Sequence, residues 1–311
     1  MCLTDSISKS EEIIIAATHS HATTPVNAMN REQLSAETPY LVLHEAEPDG
    51  EGNEVSTTTV FLTASQCPIG CNMCDLHLNT LPTATPSGAI VRQVDRAIKD
   101  SEAKWLKLYN SGNFFDPRSI PPDDYPEIAE RCNRFDRVIV ENHPKFGKSR
   151  LRSFMELVSC RFEIAVGLET VQPRWLGRLE KQMSRDDFSR YASEIARLGV
   201  DLRVFLILGV PGIDVVESVR WTRLSLRHAI ACGARHISII PARIGHGWGG
   251  KADQLPDFST ESLAEIHEQL LQDSGGRAVV TLDLWDVSAD DTAYTRLKQS
   301  NLTQRLAKNN S

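Results

Sequence analysis

The sequence has no apolar run approaching the ~20 residues that a membrane-spanning helix needs; its longest early one, Ile13 to Ala17, is far shorter. That stretch also lacks the basic flank and small-residue cleavage site of a secretory signal, so the chain is expected to be cytoplasmic. Positive charge is short as well, since 34 Lys and Arg against 41 Asp and Glu leave a net charge of -7. Clustered cations drive phosphate binding, and this balance argues against a chain that wraps nucleic acid by itself. A disulfide framework is missing too. Of the seven cysteines, Cys67, Cys71 and Cys74 lie close together while Cys2, Cys132, Cys160 and Cys232 are scattered singly. That distribution favours a reducing compartment and a metal or cluster site. No internal repeat is evident.

What is present reads as a globular α/β chain. Hydrophobic residues at 41% and charged residues at 24% are ordinary for a soluble domain, and 311 residues suffice for one large domain with trimmings. Residues 1–36, rich in Ser, Thr, Glu and Ala, suggest a poorly ordered leader. Tyr40 to His44 and Thr57 to Thr63 form a hairpin across the Gly- and acid-rich turn Glu47 to Asn53. Strand-like runs follow at Trp105 to Asn110, Arg137 to Glu141, Arg161 to Glu169, Asp201 to Gly209, His236 to Pro241 and Ala278 to Trp285. Helical periodicity lies between them, at about 86–101, 122–132, 147–157, 184–198, 213–232 and 259–273. Strand, helix, strand at this spacing requires parallel βα units with helices outside the sheet. The expectation is a partial (β/α)6 TIM-like barrel with an N-terminal β-hairpin. Its core would span 37–250, with a short C-terminal α/β extension, 251–311, near its open edge. The ligand site of such a fold lies at the carboxyl ends of the strands.

Directly after the first barrel strand comes Cys67-Pro-Ile-Gly-Cys71-Asn-Met-Cys74, a Cys-x3-Cys-x2-Cys loop. Thiolates hold iron-sulfur clusters, and three in a short loop can wrap three irons of a cubane while leaving the fourth open for chemistry. The rival is a Cys3His zinc knuckle completed by His77. Such knuckles usually pair two short ligand motifs in a small module, whereas this trio opens a large βα domain with no second Cys pair nearby.

In that context the loop resembles the signature of the radical S-adenosylmethionine (SAM) superfamily, over about residues 57–245. The resemblance implies that Cys67, Cys71 and Cys74 hold a [4Fe-4S] cluster whose unique iron is chelated by SAM. Reductive cleavage of SAM then yields a 5'-deoxyadenosyl radical that abstracts hydrogen from a substrate, making the chain an oxidoreductase or transferase. It also implies a reduced ferredoxin or flavodoxin as electron donor, and it puts Met73 beside the adenine. Ser111-Gly112-Asn113 stands where the family binds the SAM amino group, although the same residues make an ordinary turn. Glu141-Asn-His-Pro144 resembles a segment of the elongator and methylthiotransferase-like branch. Together with Ser111 to Pro117 it also echoes the radical SAM subunit of archaeosine biosynthesis, which raises RNA base modification with an RNA-binding partner as a sharper variant.

Glu163, Ala165, Gly167 and Glu169 share one strand face by alternation, the small pair leaves room for a ligand, and Glu169 matches the family's ribose-binding acid. Arg203 lies among apolar neighbours, so it needs an anion, either the SAM carboxylate or Glu141, Glu163 or Glu169. The resemblance counts Glu141 and Gly209 among the cofactor-binding residues; Gly209 opens the turn to the next helix, and Ile240 closes the sixth strand beside the adenine. Arg243 and His246 are placed on the substrate side. The tail carries no cysteine, so no auxiliary cluster is expected, and the methylthiotransferase reading weakens accordingly. Phe146-Gly-Lys-Ser149 imitates a phosphate loop, but Asn142 stands where its first glycine belongs. The neighbouring Lys145, Lys148, Arg150 and Arg152 read as a solvated face that could touch RNA.

Overall fold

The computed structural model describes residues 15–16, 34–243, 248, 251–285, 287 and 292–306. Among the described residues nine strands form a single sheet in sequence order: β1 (Ile15–Ala16), β2 (Leu41–Pro48), β3 (Glu54–Phe61), β4 (Trp105–Tyr109), β5 (Arg137–Glu141), β6 (Arg161–Glu169), β7 (Asp201–Leu208), β8 (Ala234–Pro241) and β9 (Val279–Leu282). Only the β2–β3 hairpin is antiparallel; every other pairing is parallel. The sheet curls into a partial barrel with helices on its outside, as the alternating pattern requires. The expected leader lies almost wholly outside the described residues; within it, Ile15–Ala16 pairs with Val42 and Leu43.

The helices are α1 (Ala89–Ile98), α2 (Tyr125–Cys132), α3 (Lys148–Met155), α4 (Pro173–Arg178), α5 (Arg185–Ala196), α6 (Val215–Ala231), α7 (Thr260–Ser274) and α8 (Thr292–Thr303). Their starts are chemically marked. Ser184 and Asp187 form a reciprocal capping box on α5, Asp214 accepts from Glu217 N on α6, and Ser259 accepts from Ser262 N on α7. Two helices escaped the periodicity reading for definite reasons. α4 is too short to show a helical period, and α8 buries only Ala293, Leu297 and Ser300. Yet α8 finishes the sheet. Asn301 and Gln304 use their carboxamides to satisfy the N–H and C=O groups of Leu282 and Val280, so the β9 edge is paired without a tenth strand.

Alternation sorts the strand residues cleanly. Leu106, Leu108, Val138, Val140, Ile164, Val166, Val204, Leu206, Ile237 and Ile239 face outward into the main core against the helices. The opposite face lines the barrel, and at the amino ends of the strands it is closed by ions. Arg203 donates to Glu163 (2.8 Å) and to both oxygens of Glu47 (2.9 and 2.7 Å); Arg137 and Arg235 reach the other Glu163 oxygen at 2.9 and 2.6 Å. Lys107 pairs with Glu45 at 2.8 Å and with Glu47. Trp105 is flanked by the Arg137 and Arg235 guanidiniums, each 5.2 Å from its ring. Burial opposes ionisation of Glu47 and Glu163, but Arg203 and Lys107 hold the first, and Arg203, Arg235 and Arg137 the second, below the usual carboxylate range.

Candidate functional site

At the carboxyl ends of the strands a cleft of about 1650 Å³ is lined by Cys67, Cys71 and Cys74 together with Met73, Ser111, Gly112, Asn113, Glu141, Glu169 and Ile240. The cysteine loop leaves β3 by way of residues 62–66 and is tied down at both ends. Leu81 N donates to the Ala64 carbonyl at 2.8 Å, and Asn72 donates to the Leu179 and Arg178 carbonyls at 3.0 and 2.9 Å. The three thiols are half-buried, and burial pushes each pKa up, that of Cys74 to about 11. Asn113 Nδ2 donates to Cys67 Sγ at 3.2 Å while its Oδ1 accepts from His143 N at 2.8 Å. His77 Nδ1 lies 3.2 Å from the Cys74 carbonyl. Among the described residues no set of three His, Cys, Asp or Glu converges on one metal ion.

The turn after β4 is shaped by Glu141. Its Oε1 accepts from Asn110 N and Gly112 N at 2.7 and 3.1 Å, and Ser111 between them takes φ 52°, a strained conformation for a residue with a Cβ. The Ser111 hydroxyl is met by Tyr40 OH at 2.9 Å. Burial raises the Glu141 carboxyl to about 7 despite those N–H donors. Tyr40 starts a row of rings, with Phe61, Tyr109 and Phe205 following at centroid spacings of 5.7, 6.0 and 6.0 Å, that walls one side of the cleft.

On β6 the inward face carries Ala165, Gly167 and Glu169 to the cleft, and the register shifts between the last two. Glu169 takes φ 64° and pairs with Lys181. Lys181 is only 11% exposed. Burial works against its ammonium, yet Glu169, Cys71 and Cys74 hold its pKa above the usual lysine value. A Cβ on Gly167 would stand 2.2 Å from Glu169 Oε1 and 2.4 Å from Lys181 Nζ, so the pair fills the space above this glycine and a larger residue would displace the two side-chain ends. His143 secures the lysine's segment. Burial, aided by Lys181, pushes its pKa down to about 4; the neutral ring accepts from Lys145 N (3.2 Å) at Nδ1 and donates to Lys181 O (2.9 Å) from Nε2.

Two expected ligand contacts fall elsewhere. Arg203 is 2% exposed and spends its guanidinium on Glu163 and Glu47 at the barrel floor, so the anion it needs is a protein carboxylate. Gly209 packs away from the cleft: a Cβ there would meet Pro256 and Phe258 at 2.8 and 2.9 Å. Met73 packs with Trp175, Leu179, Val210 and Trp248 into a small apolar cluster over the barrel mouth, joined by Ile207 and Ala242. Arg243 stacks on Trp285 (5.5 Å) and pairs with Asp283 (2.5 Å) on the cleft's far rim; His246 lies outside the described residues. In the phosphate-loop imitation Gly147 is needed because Phe115 leaves no room for a Cβ, and Lys148 pairs with Glu194. Lys181 carried no sequence signal, being one more cation in an irregular segment; Tyr40 read only as a strand residue, and His143 lay unused inside a recognised motif.

No family profile matches the chain. Two curated relatives align with it, both uncharacterized proteins. One, from Methanocaldococcus jannaschii, is 23% identical over 242 residues, covering 72% of this chain and 66% of that protein. The other, from Methanopyrus kandleri, is 27% identical over 188 residues, covering 55% and 35%. The chain thus spans less than two thirds of either relative. Among solved structures, Streptococcus suis SuiB bound to S-adenosylmethionine superposes with a TM-score of 0.55 at 11% identity, over 78% of this chain and 52% of that one. Methylornithine synthase (PylB) superposes with a TM-score of 0.56 at 14% identity, over 77% and 68%. The partial barrel is therefore the fold these two proteins share with this chain.

Proposed function

We propose that this chain is a radical SAM enzyme in which Cys67, Cys71 and Cys74 hold a [4Fe-4S] cluster. The observation that carries the reading is the meeting of all three thiols with the Glu169–Lys181 pair in one cleft at the carboxyl ends of the strands. The residues fit the group in two respects. The donors are soft thiolates on one loop, as iron-sulfur ligation requires. Beside them the Glu169–Lys181 pair packs against Gly167 and lines the cleft, one anion and one cation suited to the ribose and amino-acid ends of SAM. Bound there, cluster and SAM supply a hydrogen-abstracting carbon radical after one electron arrives from a reduced ferredoxin or flavodoxin.

The chain's own residues have separable tasks. Asn113 steadies Cys67 through its Sγ contact. Glu141 holds the 110–112 turn, which presents Ser111 and Gly112 toward the SAM amino group. Lys181 offers its charge to the SAM carboxylate, and Glu169 the ribose hydroxyls. Met73, Ile207, Ile240 and Ala242 supply an apolar shelf for the adenine. The cleft then runs down past the ring row to the charged floor, and substrate would lie along it. Anaerobic reconstitution with iron and sulfide tests the reading. A reducible cluster that converts SAM to 5'-deoxyadenosine supports it, whereas one tightly held zinc and no cleavage would support the Cys3His module instead.

A further inference from the structure

One level of the barrel lining, above the charged floor, can be followed through the strand register. Phe61 pairs with Tyr109, Gly167 with Phe205, Phe205 with Ser238, and Ser238 with Thr281. All six line the cleft and are half-buried. The rings of Phe61, Tyr109 and Phe205 are spaced at 6.0 Å, and partly open rings inside a cleft call for an apolar ligand. Ser238 and Thr281 bring hydroxyls instead, and a buried histidine sets their direction. Burial, reinforced by Arg203, holds His236 well below the usual histidine range, so its ring is neutral. Thr281 gives its one hydrogen to Ser238 Oγ (3.3 Å), so the 2.9 Å contact between His236 Nε2 and Thr281 Oγ1 is a donation from the ring. His236 Nδ1 is then the acceptor left without a partner among the described residues. The relay ends on Ser238, whose own hydrogen has no protein acceptor among the described residues and is directed to the cleft. The Tyr109 hydroxyl likewise makes no hydrogen bond among the described residues, and burial keeps it protonated by pushing its pKa up to about 12.

We infer that this level is the substrate's seat and that the substrate is an aromatic carboxylate, its ring on Phe61, Tyr109 and Phe205 and its carboxylate accepting from Tyr109 and Ser238. The inference rests on the reading that substrate lies in this cleft below SAM. Two donors without acceptors select a group that carries lone pairs and no hydrogens. The field at the Tyr109 hydroxyl is cationic, since Arg203 and Lys107 act on it more strongly than Glu47 and Glu163. An amine would set donors against donors and a cation beside cations. Both floor cations are already paired with Glu45, Glu47 and Glu163, so the level suits one negative charge and not a phosphate dianion. Glu141, the acid nearest this level, is taken up by Asn110 N and Gly112 N and does not compete for the two hydroxyls.

The test titrates the full chain with phenylacetate, phenylacetamide and 2-phenylethylamine by ligand-observed NMR, both as purified and reconstituted with SAM in the absence of reductant. Phenylacetate is expected to bind about fivefold more tightly than the amide and at least about tenfold more tightly than the amine. Tyr109→Phe, which keeps the ring, and Ser238→Ala should each weaken phenylacetate about tenfold and leave the amine within about twofold. Thr281 acts only as a positioning residue. Thr281→Val cuts the relay from His236 and should weaken phenylacetate about threefold, and Thr281→Ser should restore the parent value. Equal affinity for the three probes, no saturable binding of any, or full phenylacetate affinity in both hydroxyl variants would overturn the carboxylate seat, even in a chain that cleaves SAM. The expected binding pattern in a chain that makes no 5'-deoxyadenosine once dithionite is added would keep the seat and remove the enzyme reading alone.

Discussion

The two ends of the barrel hold charges in opposite ways. At the amino ends, Glu47, Glu163, Lys107, Arg137 and Arg203 are buried in a closed lattice in which the carboxylates bind several cations at once. At the carboxyl ends, Glu141 and the Glu169–Lys181 pair stand beside open space, with left-handed backbone at Ser111 and Glu169 and a bulge in β6. The lesson is that burial alone does not distinguish structure from function. Satisfied charge on regular strands closes the floor, whereas charge aimed by strained backbone into a cleft equips the rim.

That contrast can be broken from either side. Cys74→Ala should abolish SAM cleavage, a loss of at least about 1000-fold, and lower cluster iron and sulfide, while denaturation by urea stays near that of the parent. Undiminished 5'-deoxyadenosine formation would remove Cys74 from the ligand set. At the floor, Glu163→Ala strands Arg137, Arg203 and Arg235 with less compensation and should cost about 3–5 kcal/mol in urea unfolding. A cost under about 1 kcal/mol would show that the lattice is not structural. Lys181→Met should raise the KM for SAM about 10- to 100-fold under the proposed reading, since a charge-assisted contact is lost and Glu169 is left without its cation. An unchanged KM would separate the Glu169–Lys181 pair from SAM.

The smallest effect concerns Glu141. Its folded pKa, raised by burial to about 7, lies above that of an unfolded glutamate, so the folded state binds the proton more tightly. The resulting stability is fully present below about pH 4.5 and is lost as pH rises through about 7. Unfolding of the parent measured across that window should therefore show a slope of up to about one proton, which Glu141→Gln removes. Identical slopes would place the titration elsewhere.

Much of this was legible beforehand. The boundaries of β5 and β6 match the apolar runs residue for residue, and β4 and β7 end within one residue of theirs, because burial on both faces writes a continuous apolar or β-branched run. The cysteine spacing and the small face of β6 were equally plain. Lys181 was not, because a lysine's partner across a bulge leaves no periodic trace, and Asn301 and Gln304 were not, because carboxamides that imitate a strand look like ordinary helix surface. Arg203 shows the limit most clearly. Its need for an anion followed from the apolar neighbours on its strand, but Glu47 lies 156 positions away on the antiparallel hairpin, and only closure of the sheet brought the two together.

The order of strands and helices, the loop that carries three thiols and the lack of bulk at Ala165 and Gly167 were determined by local sequence, since periodicity, turn chemistry and residue size act over neighbouring positions. Which charges close the floor and which border the cleft was decided by the tertiary structure alone. Ion pairs form through space, and their partners are chosen by how the strands come into register.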